Sequence, residues 1–183
     1  LGTINVASGR VRGVQIGLVN VADSSDFSLG LVNVNTEGRT HIDVWSELEV
    51  GMLFSAVKHG GQHWHSFYGI GTRLTDPNLM AVFGIGGHIR FADWFYLNVD
   101  GLAYLAPSFE DGELNTLAQA RAVAGFNVID ELAFYAGPAF NAAIGRKQDN
   151  EWAPDYGYRH DPETGIAIAM WPGATVGMQV LSE

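Results

Sequence analysis

The sequence predicts an all-β protein, an antiparallel up-and-down transmembrane β-barrel of about eight to twelve strands. Three observations lead to this fold class. Apolar residues alternate with small or polar residues along many segments, helical periodicity is nearly absent, and glycine accounts for 23 of the 183 residues. Residues 81–91, AVFGIGGHIRF, show the alternation most clearly, since one row of side chains is apolar and the other is small and then charged. Strands of a membrane barrel turn such an apolar row toward lipid and the other row toward a crowded interior.

Length and composition narrow the classes of protein that the chain can belong to. We expect one domain over residues 1–183, with repeat-like strands in 1–40 and longer barrel strands in 41–183. The net charge of -10 argues against nucleic acid and anionic lipid surfaces as partners. Cysteine is absent, which excludes disulfides and thiolate chemistry. The sequence contains no run of 18 apolar residues, which is about the length that a transmembrane helix needs.

The first 40 residues contain three copies of a short repeat. GTINVA, GLVNVA and GLVNVN begin at Gly2, Gly17 and Gly30, and each copy is followed by turn residues. A unit of this length is either one antiparallel strand with its turn or one rung of a solenoid. Three copies leave both possibilities open.

Longer strands follow the repeats. A short helix near residues 114–120 is the one helical alternative, and the same residues also fit the start of a strand. The predicted strands cover residues 41–58 with a break near Gly51, 65–74, 80–91, 94–105, 117–128, 132–144 and 165–180.

The polar rows of these strands differ from a water-facing surface, because they are rich in glycine, alanine and serine with isolated charges. Charged groups in a narrow interior must be paired or hydrated, since an unpaired buried charge is costly. The residues predicted to face the barrel lumen are Asp43, Glu47, Glu49, Arg73, His88, Arg90, Asn98, Asp100 and Arg121.

Short and long connections alternate along the second half of the chain, as in membrane barrels. The short ones, at 92–93 and 129–131, lie at one predicted end, which we expect to be periplasmic together with the C-terminus. Loops 106–116 and 145–165 then form an outer contact surface, with Trp152, Tyr156 and Tyr158 as partner-contact residues. Aromatic residues predicted to form an interfacial girdle at the short-turn end are Phe91, Trp94, Phe95, Tyr96, Phe134 and Tyr135.

The segments RGVQIGLVNVAD (residues 12–23) and FSLGLVNVNTEGRTHIDVW (residues 27–45) resemble a family of bacterial surface-repeat proteins. In this family, first noticed in Leptospira and found across diderm bacteria, a Gly-Val-Gln-x-Gly-Leu-Val-Asn-Val unit recurs before a strand-rich C-terminal region. The match to the repeat covers about a quarter of the chain. The resemblance implies a location in the cell envelope and an uncharacterised role, and it lends no catalytic residues. The rest of the chain resembles outer-membrane barrels by its pattern, so we expect the bacterial outer membrane as the location.

The segment HGGQHWHSF is the densest candidate for site chemistry. His63 and His65 are weak candidates for a metal site, with His59 across a Gly-Gly turn, and an interfacial hairpin end is the favoured interpretation. His65 and Ser66 point to opposite faces of a strand, so they cannot act together as base and nucleophile. We therefore predict no enzyme activity, no catalytic residues and no cofactor.

The expected function is a small outer-membrane barrel with a structural, anchoring or partner-docking role. Its partners would be membrane lipid and other envelope proteins or identical copies of the chain. The alternative is a soluble, secreted β-sandwich or calyx that binds a small apolar ligand in its centre. That alternative requires the apolar rows to face inward.

Overall fold

The computed structural model describes residues 1–30, 32–61, 63–75, 77–107, 114–146, 152–160 and 166–181. These residues form an all-β structure. In chain order the strands are β1 (Ile4–Val6), β2 (Arg10–Ile16), β3 (Val19–Ala22), β4 (Ser24–Leu29), β5 (Val32–Asn35), β6 (Arg39–Glu47), β7 (Met52–Gly60), β8 (Trp64–Arg73), β9 (Leu79–Ala92), β10 (Phe95–Pro107), β11 (Leu114–Ile129), β12 (Leu132–Arg146), β13 (Tyr158–His160) and β14 (Ile166–Leu181).

Eight of these strands close into an antiparallel barrel. Each strand from β6 to β12 pairs with the next one along the chain, β12 pairs with β14, and β14 pairs with β6. The predicted antiparallel up-and-down barrel is thus confirmed at eight strands, the lower limit of the expected range. The short strand β13 adds to β14 beside the ring.

Most strand positions follow the alternating pattern of the sequence. The break expected near Gly51 is the turn between β6 and β7, where Gly51 has a φ of 62°. The possible helix at 114–120 was the wrong interpretation, because β11 begins at Leu114 and runs in register with β10. Pairing on both sides overrides the weak local helical pattern there.

The repeats form a parallel solenoid instead of antiparallel barrel strands. One sheet has the order β1-β3-β5, the second sheet joins β2 to β4, and every pair is parallel. Each copy of the repeat is therefore one rung, which decides between the two possibilities left open by the sequence. Arg10 and the Gly13 amide both hydrogen-bond Asp26 across the second sheet, and these bonds lower the pKa of that exposed carboxyl.

The two faces of the barrel wall differ in burial, and the buried face holds both apolar and polar side chains. Inward positions hold large buried side chains, among them Trp45, Phe54 and Tyr104, with Phe54 in ring contact with both others. Outward positions hold exposed apolar residues such as Val99 and Phe140, each 51% exposed. The apolar rows thus face out, and the interior of the barrel is filled by side chains.

Candidate functional site

The most organised polar arrangement in the molecule is a set of buried ion pairs inside the barrel. Asp100 on β10 lies at its centre, and its Oδ1 is 2.9 Å from Nε2 of His65 on β8. Its Oδ2 accepts a hydrogen bond of 2.9 Å from Nε of Arg121 on β11. Gly86 on β9 provides the room, because a Cβ at that position would collide with both Asp100 and His65. Four neighbouring strands therefore meet at one carboxylate.

The guanidinium of Arg121 is enclosed by aromatic rings. Its Cζ lies 4.8 Å from the ring centre of Trp45, 5.3 Å from that of Phe67 and 5.7 Å from that of Tyr135. Only 3% of the residue is exposed. Ring faces attract a cation most strongly where water is excluded, so these contacts offset part of the cost of burying the charge.

A second carboxylate, Glu47, joins another set of strands. Its Oε1 accepts hydrogen bonds from Nε1 of Trp45 at 2.9 Å and from the Tyr104 hydroxyl at 3.2 Å. Its Oε2 accepts a hydrogen bond of 2.6 Å from Thr175 on β14. The Tyr104 hydroxyl also contacts Oε1 of Gln119 at 2.9 Å. Strands β6, β10, β11 and β14 are thereby connected across the interior.

Nearer the short-turn end, Lys58 provides a second buried cation. Its Nζ lies 3.4 Å from Oδ2 of Asp43 and 3.2 Å from Oε1 of Gln179. The Tyr96 hydroxyl donates to the same Gln179 oxygen at 2.9 Å. Lys58, Asp43, Gln179 and Tyr96 thus form a second group of buried polar side chains that bond to one another.

The remaining residues predicted to face the lumen lie at the two rims of the barrel. His88 contacts Asn98 through Nδ1 and Oδ1 at 2.7 Å, and Asn98 itself is buried. Arg90 has the predicted orientation, but it lies beyond the closed interior and forms an exposed pair with Asp93 at 2.6 Å. At the opposite rim are Arg73, which is half-buried, and Glu49, which accepts bonds from Asn141 and the Ala174 amide.

The histidines of the HGGQHWHSF segment are separated by the fold. His65 lies inside the barrel on Asp100, whereas His63 is exposed just before β8 begins. His59 contacts the Asn35 amide and the Thr40 hydroxyl. Within the described ranges, no group of three or more His, Cys, Asp or Glu residues is placed to hold a metal ion.

His65 and Ser66 point to opposite faces of the barrel wall, as the parity of the strand requires. The imidazole is inside, whereas the Ser66 hydroxyl is outside and accepts a hydrogen bond of 2.9 Å from Asn33 of the solenoid. The two side chains therefore serve different parts of the structure.

The long connections are described in part. Residues 108–113, 147–151 and 161–165 lie outside the described residues, so half of the residues in the predicted contact loops 106–116 and 145–165 do too. Tyr156 and Tyr158 are 62% and 60% exposed. Trp152 differs from the expectation, because it is only partly exposed and packs against the core cluster that includes Trp171.

Most outward side chains of the barrel wall are apolar. Among the outward positions of β6–β12 and β14 whose side chains are described, none is Asp, Glu, Lys or Arg. At the short-turn end, Phe91, Trp94, Phe95 and Phe126 form a ring cluster with centroid separations of 5.1 to 6.1 Å. Tyr96 and Tyr135, expected in this girdle, instead face the interior, because they lie on the inward rows of β10 and β12.

A shallow apolar groove of about 560 Å³ crosses this wall on the side from β11 to β7. Small outward residues, including Ala124, Ala136 and Ser46, form part of its lining, and larger residues such as Phe126, Phe134 and Leu53 flank it.

The solenoid contacts the barrel through polar groups on the outside of β7 and β8. The Asn33 amide donates to the Tyr68 hydroxyl at 3.0 Å, and the Asn35 amide donates to Nε2 of His59 at 2.9 Å. Phe27 of the solenoid packs edge-on against Trp64, with centroids 4.6 Å apart. The polar outward residues of β7 and β8 near this end are therefore covered by the solenoid.

Comparisons with models of known protein families, with curated proteins and with solved structures give no match. In the described parts of the chain, no helix has the length and apolar character needed to span a membrane.

Sequence reasoning missed several interior residues. Lys58 was not expected in the lumen, although it shares its parity with Met52, Phe54 and Ala56 on β7. A count of alternate positions along β7 would have found it. Interior residues were predicted mainly from isolated charges on the polar rows, so uncharged amide side chains were overlooked. The buried amides missed in this way are Gln119, Asn141 and Gln179.

Proposed function

We propose that the chain is a small outer-membrane β-barrel with a structural role, which anchors the attached solenoid at the membrane and presents its outer loops to a partner. The observation that carries the proposal is the outer wall of a closed barrel, which is largely apolar and has no charged residue at the outward positions whose side chains are described. The interior, the strand lengths and the position of the solenoid support it in turn.

The outer wall is the first support. Soluble monomers rarely expose continuous apolar patches of more than a few hundred Å². Here exposed apolar side chains recur on successive strands around the barrel, for example Ile70, Ile89, Val99 and Phe140. A lipid environment removes this surface from water, and lipid chains would also fill the groove between β11 and β7.

Strand length is the second support. A tilted strand needs about 9 to 11 residues to cross the hydrocarbon core of a bilayer. Strands β6, β7 and β8 have 9, 9 and 10 residues, whereas β9 to β12 and β14 have 13 to 16. Each barrel strand is long enough to span, and the longer ones extend beyond the bilayer.

The filled interior supports an anchor instead of a pore. An eight-stranded barrel has space for side chains but not for a wide channel. In this barrel Trp45, Trp171 and Tyr104 are fully buried, and Trp45 and Tyr104 donate hydrogen bonds to Glu47 and Gln119, respectively. The same filling disfavours the alternative, a calyx with an apolar ligand in its centre, and the outward direction of the apolar rows disfavours it further.

The position of the solenoid agrees with the proposed orientation. It lies at the end with the short turns, which we assign to the periplasm, and the aromatic cluster of Phe91, Trp94, Phe95 and Phe126 lies at the same end. Aromatic rings of this kind sit at the boundary between lipid and water. The loops that contain Tyr156 and Tyr158 then face outward from the cell.

Arginine substitutions at two depths test the proposal. Phe140 lies near the middle of β12 and Val128 near the turn after β11, and both are exposed. In protein folded into phosphatidylcholine vesicles, Phe140→Arg should lower the free energy of unfolding by about 2–4 kcal/mol, whereas Val128→Arg should lower it by about 0–1 kcal/mol. Urea titration followed by tryptophan fluorescence gives both values.

The control is Phe140→Leu, which removes the ring but adds no charge and should have a small effect. A soluble barrel would behave differently, because an arginine on a wetted wall changes stability by only about 0.5 kcal/mol. Equal, small effects of both arginine variants, together with a native protein that stays in the aqueous phase without vesicles, would overturn the proposal.

A further inference from the structure

The solenoid has buried polar side chains and exposed aliphatic ones, so it resembles the barrel wall more than a water-soluble domain. We propose that the solenoid is embedded in the membrane beside β7 and β8, where one end contacts the acyl chains of the periplasmic leaflet and the other end lies at the water boundary. This placement rests on the proposed function, because it needs a barrel that spans a bilayer. It is carried by the direction of the side chains, the position of the charges and the depth of the solenoid on the barrel.

The interior of the solenoid contains a ladder of hydrogen-bonded asparagine side chains. Nδ2 of Asn5 donates to Oδ1 of Asn20 at 2.8 Å, and Nδ2 of Asn20 donates to Oδ1 of Asn33 at 2.8 Å. Nδ2 of Asn20 also donates to the Leu29 carbonyl at 3.0 Å, and Nδ2 of Asn33 donates to Oγ of Ser66 on the barrel at 2.9 Å. Polar groups can enter lipid only when they are satisfied within the protein, and the amides of Asn20 and Asn33 meet this condition.

The outward side chains of the solenoid are mainly aliphatic. They lie on its flanks, and because rungs stack through the edges of their strands, stacking leaves the flanks uncovered. The flank residues with an exposed fraction of 37% to 59% are Val14, Ile16, Leu18, Leu29, Val32 and Val34. An aliphatic surface of this kind is more stable in contact with lipid than with water.

The two ends of the solenoid differ in charge. At one end, called the aliphatic end, the amides of Gly17 and Val32 donate to the carbonyls of Leu29 and Leu18. At the other, called the charged end, the Asp23 amide donates to the Gly9 carbonyl and the Glu37 amide to the Asp23 carbonyl. The charged residues of 1–38 lie in the first three residues of β2 and β4 or in the turns after β3 and β5, and they are Arg10, Arg12, Asp23, Asp26 and Glu37.

This separation of charge fits a structure at the boundary between lipid and water. Residues 14–22 and 27–35, which lie toward the aliphatic end, contain no charged residue. Charged groups are costly in hydrocarbon, whereas an amphipathic element at the interface buries its apolar side and keeps its charges in water. The backbone amides of the aliphatic end bond between rungs, which lowers the cost of placing that turn in lipid.

Contacts with the barrel set the depth of the solenoid. The Asn35 amide donates to His59, the next-to-last residue of β7 before the short-turn end. The Asn33 amide donates to the hydroxyl of Tyr68, which is the fifth residue of β8 from the same end. Following β5 backward thus leads from the short-turn end toward the middle of the wall, and the turn at Gly30 lies farther in this direction. The aliphatic end therefore points into the proposed bilayer, and the charged end points toward the periplasm.

Lipid fits this surface better than a protein partner does. The flank continues the outer wall of the barrel, because Phe27 packs edge-on against Trp64 with centroids 4.6 Å apart, and Trp64 is itself 41% exposed on the wall. Protein interfaces usually have a polar rim around an apolar centre. The aliphatic end has no charged side chain in residues 14–22 and 27–35 with which to form such a rim.

Spin labels on introduced cysteines test the embedding, since the chain has no cysteine of its own. The 183-residue protein is folded into phosphatidylcholine vesicles. Power saturation then measures collisions of each label with oxygen, which enters lipid, and with a water-soluble nickel complex. Leu18→Cys places a label at the aliphatic end, and Ser8→Cys is the matched site in an exposed turn at the charged end. The Leu18 label should collide with oxygen and be protected from the nickel complex, whereas the Ser8 label should collide with the nickel complex.

Val99→Cys separates failure of this inference from failure of the proposed function. Val99 lies within β10 on the outer wall and is 51% exposed. A Val99 label in lipid with a Leu18 label in water would overturn the embedding and leave the barrel proposal intact. Both labels in water would overturn both proposals. A Leu18 label that reaches neither reagent would be covered by protein, which also overturns the embedding.

Folding of each labelled variant is checked by its electrophoretic mobility without heating. Val32→Cys provides a second label on the same flank, so the result does not depend on the Leu18 variant alone. Its label should also collide with oxygen and be protected from the nickel complex. Access of the nickel complex to the Val32 label in a folded, inserted barrel would overturn the embedding.

Discussion

At the scale of single residues, the interior of this barrel contains charged side chains that are paired with one another. Asp100 contacts both His65 and Arg121, and Lys58 contacts Asp43. Moving an ion from water into the interior costs free energy, and attraction to a partner of opposite charge offsets much of this cost only when the geometry of the pair is good. Removal of one partner should therefore lower the free energy of unfolding much more than removal of both partners.

Arg121→Met tests this expectation. The substitution leaves Asp100 buried with His65 alone, so the free energy of unfolding should fall by about 3–5 kcal/mol. The double variant Asp100→Asn/Arg121→Met removes both charges and should be closer to the native value. Urea unfolding followed by tryptophan fluorescence measures the free energy of unfolding of the native protein and both variants.

Arg90→Met is the matched control for the same chemistry at the surface. Arg90 pairs with Asp93, but the two side chains are 50% and 97% exposed. Solvent screening limits such a pair to less than about 1 kcal/mol. If Arg121→Met costs no more than Arg90→Met, the interior pair does not have the energetic role assigned to it.

At the scale of elements, one alternating pattern produced two kinds of sheet. The barrel strands have one buried and one exposed row, and they pair antiparallel because short turns join neighbours. The repeats pair parallel because each rung turns back to place the same residues above one another. The asparagine amides bond only in that parallel register.

Gly30→Ala and Gly2→Ala form a pair that tests rung packing. A methyl group at position 30 would collide with the Gly17 carbonyl, whereas at position 2 the closest atom is the Asn5 side-chain oxygen. Gly30→Ala should destabilise the solenoid by about 1–3 kcal/mol, and Gly2→Ala should have a smaller effect. Hydrogen exchange of the amides in β3 and β5 measures the difference, and equal protection in both variants would contradict the packing described.

At the scale of the whole molecule, the barrel and the solenoid satisfy hydrogen-bonding groups of each other at their junction. The barrel wall provides the acceptor that ends the asparagine ladder, and the solenoid covers the polar outward residues of β7 and β8. Terminal rungs of a solenoid need a cap, and here the cap is the barrel.

Tyr68→Phe tests this junction. The hydroxyl of Tyr68 accepts a hydrogen bond from the Asn33 amide, and its loss leaves that partly buried donor unpaired. The local stability of the last rung should fall by about 1–3 kcal/mol, seen as faster hydrogen exchange in β5. Tyr158→Phe, on an exposed tyrosine, is the control. Unchanged exchange in β5 would show that the junction does not stabilise the rung.

Much of the barrel could be predicted from sequence. Strands β9 and β12 lie within a few residues of the predicted segments 80–91 and 132–144. The partners of the interior charges could not be predicted, because they depend on the register of several strands at once. Asp100 and Arg121 are opposite each other only after β10 and β11 pair, and Glu47 meets Thr175 only when the ring closes.

The sequence by itself determined that the chain forms strands with one apolar and one polar row, because side chains of a strand alternate with a period of two. Which row faces out, how many strands close the ring and which charges meet were decided by the tertiary structure. The repeats show the reason most clearly. A period of two is the same in parallel and antiparallel strands, so only the stacking of Asn5, Asn20 and Asn33 could distinguish a solenoid from a barrel hairpin.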